Sequence, residues 1–215
     1  MLAARKPAAL FAYLALHPGR PQPRSKLGAL LWSDSGDAAA RASLRQALLV
    51  VRRATGLGDD ELVAGPGETL AIAEGVVAAD ALELEAALDD DTFDAQRVGP
   101  LVAAIDGEFL EGLATREAGY DDWLALRRAQ LRERLIAAHQ RLLDEHRLHG
   151  QADAAIASAL RLLALDPLRE DAHRLLMEVL YLRGAYADAI TVWDRCRETL
   201  RQIYGVPPSP PLDSR

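Results

Sequence analysis

Asp37-Ala-Ala-Ala-Arg41-Ala-Ser43-Leu44-Arg45-Gln46-Ala47-Leu48-Leu-Val-Val51-Arg52-Arg53-Ala-Thr55 decides the fold class of this 215-residue chain. At about 100° per residue, Ala40, Leu44, Ala47, Leu48 and Val51 fall within about 100° of one another, so the segment is an amphipathic helix with one buried stripe. Gly56 and Gly58 end it. Arg41, Arg45 and Arg52 share a flank about 40° wide, and Ser43 and Gln46 lie on the other side. A helix with an apolar stripe and an arginine ridge can enter a major groove, where Arg reaches guanine edges or phosphates and Gln reaches adenine. A solvated basic helix face is the plainer alternative, and the neighbouring elements shift the balance toward DNA.

Upstream, residues 7–17 form a helix with Leu10, Tyr13, Leu14 and Leu16 inward, stopped by His17-Pro18-Gly19. Arg20-Pro-Gln-Pro23 is a stiff turn. Residues 24–31 form a second helix with Leu27, Leu30 and Leu31 inward. Its opening residues Arg24 and Lys26 sit where helix starts often meet phosphate. Downstream, Leu62-Val-Ala64, a Gly65-Pro66-Gly67 turn and Thr69-Leu-Ala-Ile72 predict a hairpin, with Val76-Val77 as a third short strand. Three helices followed by a small hairpin is the layout of a winged helix. The hairpin tip, Gly65-Pro-Gly-Glu68, carries no Arg or Lys, so this wing is expected to pack and not to enter a minor groove.

Charge follows the same division. Residues 1–57 hold nine basic and two acidic residues, a net +7, whereas the whole chain is −7, which leaves −14 for residues 58–215. A basic segment can meet a polyanion, and the acidic remainder is suited to other work. Half the residues are hydrophobic and few are aromatic, a composition that favours helix over sheet. The single cysteine, Cys196, excludes an intrachain disulfide and a Cys-rich zinc site. No apolar run approaches the roughly 20 residues of a membrane span, and the expected setting is cytoplasmic, away from membranes.

From residue 80 onward the chain is expected to be almost entirely helical: a short helix before Asp89-Asp-Asp91, a helix over 97–105, a Gly107-Glu-Phe-Leu-Glu-Gly-Leu113 loop, and a long helix over 120–149. An internal repeat follows. Gly150, Ala155 and Ile156 recur as Gly184, Ala189 and Ile190 at one constant offset. That offset matches the tetratricopeptide period of about 34 residues. Leu162 and Cys196 fall at equivalent inward positions, as do Ala159 and Trp193. Each helix pair cannot bury its apolar face alone, so neighbours must stack. The Pro-rich end is expected to be a linker or frayed tail.

The chain offers no Walker-type phosphate loop, no serine elbow and no paired-Cys motif, so nothing supports an enzyme or a cofactor. His139, His146 and His149, with Asp144 and Glu145, lack a second ligand cluster and are expected to be ordinary helix residues, not a metal site.

Arg5-Lys6-Pro-Ala-Ala-Leu-Phe-Ala-Tyr-Leu-Ala-Leu-His-Pro-Gly-Arg-Pro21, Leu27-Gly-Ala-Leu-Leu-Trp32 and Arg41-Ala-Ser-Leu-Arg-Gln-Ala-Leu48 with Arg52-Arg53 resemble the three helices of SARP-type bacterial regulators. Gly107-Glu-Phe-Leu-Glu-Gly-Leu113, Trp123-Leu-Ala-Leu-Arg-Arg128, the run from Arg161 through Leu165-Asp-Pro167 to His173, and Gly205-Val-Pro-Pro-Ser-Pro210 are similar to the bacterial transcriptional activator domain. The resemblance implies a mostly α fold: a winged helix-turn-helix over 1–79 that lacks the family's leading sheet, a tetratricopeptide-like body over 80–207, and a Pro-rich tail over 208–215. It implies a DNA-binding transcriptional activator that recruits RNA polymerase and often binds direct repeats as a homodimer. On that carry-over, Arg41, Ser43, Arg45 and Gln46 are the groove residues, and Arg24, Lys26, Arg52 and Arg53 contact phosphate. The alternative is a protein-interaction module whose winged helix is vestigial.

Overall fold

A computed structural model describes residues 4–65, 67–90 and 92–209. Among these, nine helices account for most of the chain: α1 (Arg5–Ala15), α2 (Arg24–Leu31), α3 (Asp37–Thr55), α4 (Asp80–Leu88), α5 (Ala95–Ala104), α6 (Ala118–Leu148), α7 (Ala152–Leu165), α8 (Glu170–Leu182) and α9 (Tyr186–Tyr204). Three short strands, β1 (Gln22–Pro23), β2 (Leu62–Gly65) and β3 (Thr69–Ile72), form one antiparallel sheet in the order β1-β3-β2. The fold is mostly α, with a winged helix followed by helical repeats, as the patterning implies.

The second and third helices have the extents expected from sequence, because each carries a clear stripe and a clear stop. Gly56 adopts φ +77° and its N–H donates to the Arg52 carbonyl at 2.8 Å, closing α3 with a left-handed cap. The sheet differs from expectation. Its third strand is not Val76-Val77 but Gln22–Pro23, which pairs Gln22 with Leu70 and Pro23 with Thr69. Both edges of β3 are thereby occupied, and Gly75, at φ +77°, turns the chain away before Val76. Proline is tolerated in β1 because the strand lies at the sheet edge. Pro66, at the hairpin tip, lies outside the described residues.

By compactness the chain divides into two units that interleave in sequence: residues 1–83 with 106–131, and residues 84–105 with 132–215. The region expected as the N-terminal domain, 1–79, falls within the first unit, and the segment 106–131 joins it there. The first core gathers Leu10, Leu14, Leu27, Leu31, Leu44 and Val51 from the three helices, and Leu62, Leu70 and Ile72 from the hairpin. Tyr120 and Leu124, from the start of α6, complete it. A buried polar knot fastens the same segment. The Glu117 carboxylate pairs with Lys6 at 2.5 Å and accepts from the Ser33 backbone N–H at 2.9 Å and hydroxyl at 2.7 Å. These donors hold Glu117 below the usual carboxylate range, the Lys6 hydrogen bond most of all.

The second unit is built from successive helices. Its main core joins Ile136 and Leu143 of α6, Ala155, Ala159 and Leu162 of α7, and Ala172 and Leu176 of α8. The internal repeat recurs in its hydrogen bonds. Gly150 N–H donates to Arg147 and Gln151 N–H to His146, while Gly184 N–H donates to Tyr181 and Ala185 N–H to Leu180. Both glycines take positive φ, so each first helix of a pair ends in the same left-handed cap. Leu162 and Cys196 are both buried at their equivalent positions. The segment after α9 does not fray at once: Ser209 donates to the Glu170 carboxylate through its N–H at 2.6 Å and its hydroxyl at 3.0 Å. The expected tail beyond it, residues 210–215, lies outside the described residues.

Candidate nucleic-acid interface

The candidate site lies within the first unit, where α3, the start of α2 and the hairpin surround an open cleft of about 390 Å³. Local structure explains its shape. The α3 stripe Ala40, Leu44, Ala47, Leu48 and Val51 is buried, which leaves Arg41, Arg45 and Gln46 on the exposed side. The first residue of α2 is held against the hairpin by the Arg24 N–H donating to the Glu68 carbonyl at 2.9 Å. Arg24, Arg41 and Arg45 thus line one concavity, together with Ser25, Glu68 and Thr69.

The eight basic and polar residues singled out from sequence separate into groups. Among the described residues, no other group engages the side chains of Arg24, Arg41, Arg45 or Arg53, so four guanidiniums remain available. Three of these share the cleft, and Arg53 is exposed near the C-terminal end of α3. Ser43 is half-buried and Gln46 is exposed, and neither lines the cleft. Arg52 points elsewhere. Its guanidinium pairs with Asp59 and donates to the Leu62 carbonyl at 3.1 Å, tying the end of α3 to β2. Lys26 donates to Gln22 at 3.1 Å and lies over the Tyr13 ring at 5.6 Å.

Clustered guanidiniums without a salt-bridge partner among the described residues repel one another and attract an external anion, and phosphate matches their fork geometry. Ser25 and Thr69, which sequence reasoning passed over, bring hydroxyls to the same cleft. Ser25 had a legible signal, since it sits between two basic residues at a helix start. Thr69 did not, because its place depends on hairpin geometry. The acidic Glu68 at the rim, with φ +56°, opposes deep anion entry on the wing side.

His139, His146 and His149 form no metal cluster among the described residues. His146 instead meets the Ser158 hydroxyl at 3.2 Å, and His149 meets the Glu145 carbonyl at 2.9 Å. No helix of the described residues is long and apolar enough to cross a membrane.

The chain is similar to known proteins over most of its length. A family profile described as the bacterial transcriptional activator domain matches residues 71–215. The transcriptional regulatory protein MoaR1 of Mycobacterium tuberculosis (strain ATCC 25618 / H37Rv) is 24% identical over 225 residues, covering 96% of this chain and 69% of that protein. MoaR1 of Mycobacterium bovis (strain BCG / Pasteur 1173P2) aligns with the same identity and coverage. The structure of Mycobacterium tuberculosis EmbR, in complex with a low-affinity phosphopeptide, superposes with a TM-score of 0.65 at 21% identity, over 98% of this chain and 57% of the EmbR chain. At that identity the likeness to EmbR is one of fold, and this chain spans little more than half of EmbR's length. Because the profile match extends over more than half of the chain, the protein belongs to the bacterial transcriptional activator domain family of transcriptional regulators, of the SARP type that its motifs resemble.

Proposed function

We propose that this chain is a DNA-binding transcriptional activator in which α3 meets the major groove and the repeat unit contacts protein, either RNA polymerase or a second copy. The observation that carries the reading is the set of unengaged guanidiniums on Arg24, Arg41 and Arg45 around one cleft. In this reading Arg41, Arg45, Ser43 and Gln46 address base edges, and Arg24 and Arg53 grip phosphate. Arg52 and Lys26, already engaged within the fold, contribute positive potential more than direct contacts.

The test is binding to duplex DNA across a salt series, first with a random-sequence pool and then with the duplexes it enriches. Arg45→Ala should cost about 1–3 kcal/mol on enriched duplexes and little on the pool. Arg53→Ala should weaken both alike and reduce the salt slope by about one. If wild-type protein shows no salt-dependent affinity for any duplex, the reading fails. The competing reading, an interaction module with a vestigial winged helix, draws on the large exposed apolar side chains of the second unit. That outcome would be indicated by protein association without DNA affinity.

A further inference from the structure

The two helix pairs of the repeat, α6–α7 and α8–α9, differ at their turns. Leu148 ends α6 and Leu182 ends α8, at equivalent repeat positions, and both are exposed, at 81% and 78%. Between these helix ends and the first turn of α7 opens a cavity of about 350 Å³, a volume within the range of small-molecule sites. Val179 forms its apolar floor, continuous with the second core, and Ala152 forms a wall. One repeat further on, the counterparts of Arg147 and Ala152 are Tyr181 and Tyr186, whose rings meet at 5.1 Å. The second pair thus places an aromatic contact across its turn, where the first pair places a cation and a space.

We propose that this cavity binds a small apolar acid, taken up free from solution. Its apolar body lies on Ala152 and Val179 between the two leucines, which are otherwise left holding apolar surface in water. Its carboxylate meets Arg183, with Arg147 beside it. The sign of the ligand's charge follows from the lining. Two guanidiniums face the cavity against one carboxylate, Glu178, and Glu178 is already paired with Arg147 at 2.8 Å. Arg183 pairs with Asp153, which lies outside the lining and has a side chain 84% exposed. So exposed an ion pair is weak, and it yields to a ligand carboxylate held on apolar surface. An ammonium in the same place would face Arg183 directly. The concave shape, bounded by three helices, suits one small body better than the surface of a protein partner.

The probe is octanoate, with octanol and octylammonium as neutral and cationic controls on the same chain length. Isothermal titration of the full chain should show one saturable octanoate site with a dissociation constant on the order of 100 µM. Octanol should bind about tenfold more weakly, and octylammonium more weakly still. Arg183→Met, at a half-exposed position, should cost octanoate about tenfold and leave octanol unchanged. Ala152→Tyr, which installs the residue of the second pair, should abolish binding of both with circular dichroism unchanged. Leu160→Glu, at an exposed position of α7 outside the cavity lining, should alter neither affinity. Three results would overturn the proposal: no saturable octanoate binding, octylammonium binding as tightly as octanoate, or an octanoate affinity indifferent to Arg183→Met. A cavity that instead receives a protein segment gives the first of these. If Ala152→Tyr disturbs the fold, the charge series and Arg183→Met still decide. None of these measurements involves DNA, so the duplex-binding reading stands or falls separately.

Discussion

The first unit closes its core with residues far apart in sequence, whereas the second closes its core helix by helix. Tyr120 and Leu124 complete a cluster whose other members lie between residues 9 and 72. In the second unit, consecutive helices supply one another, and the same capping bonds recur one repeat later. A closed, long-range core fails as a whole when one wall is removed. A stacked core loses stability in increments as its helices are weakened one by one.

Removal of the wall is the largest test of this difference. Residues 1–79 alone lack Tyr120, Leu124 and Glu117, and so short a fragment makes a thin core. That fragment should show no cooperative melt, and residues 1–131 should recover one. Circular dichroism melts check both, and a sharp transition for 1–79 would show that the 106–131 segment is dispensable.

A smaller cut isolates the polar knot of the first unit. Glu117→Ala leaves the Lys6 ammonium and the Ser33 N–H and hydroxyl without their shared acceptor, at a cost of about 2–3 kcal/mol by denaturant unfolding. Because the folded carboxyl titrates below its ordinary range, its contribution is present above the unfolded pKa, near 4.5, and is lost as pH falls through the lower folded value. The variant should therefore converge on wild type in strong acid. A constant gap at every pH would assign the effect to packing instead.

The two units were not equally legible in the sequence, and for the same reason that they differ in construction. Stripes and stops are local, so α2, α3 and the repeat could be read from Leu27, Leu31, Leu44, Leu48 and the paired glycines at 150 and 184. The entry of residues 106–131 into the first core is a tertiary event that no periodicity announces. The pairing of Gln22–Pro23 with β3 is too short to leave a pattern. At the candidate interface, the arginine ridge was visible on a helical wheel, but the diversion of Arg52 to Asp59 depends on how the loop after Gly56 folds back. Lys26 was nearer to legible, since Gln22 precedes it by one helical turn.

Acidification probes the second unit through a different group. His139 is buried in α6, and burial, aided by the nearby Arg161 charge, lowers its pKa to about 4. Its Nδ1 has no partner among the described residues, so the neutral ring is the form that the fold accepts. Below about pH 6.5 the unfolded chain takes up a proton that the folded chain refuses until about pH 4, so stability declines across that window. At pH 5 the loss should be about 2 kcal/mol relative to pH 7. His173, also lowered mainly by burial, adds in the same direction. His139→Leu should flatten most of the decline, and an unchanged pH profile in that variant would remove His139 from the account.

The finest test compares equivalent positions within the stack. Sequence equivalence alone makes Ala155 and Ala189 matched small residues, each costing about 1–3 kcal/mol if enlarged to Leu. The structure separates them: Ala155 is fully buried between neighbours, while Ala189 is only half-buried, on a helix that no further helix follows among the described residues. Added methylenes at residue 155 must push against packed atoms, whereas at residue 189 they can turn toward the uncovered side. Ala155→Leu should therefore retain the full cost, and Ala189→Leu should fall below about 1 kcal/mol. Measured at dilute protein, the gap between the two melting temperatures reports how far the stack's order decays toward its last helix. Measured again at high concentration, a cost for Ala189→Leu that grows with self-association would show that a second copy supplies the missing neighbour, and equal costs for the two variants at every concentration would mean that α9 is as tightly held as α7.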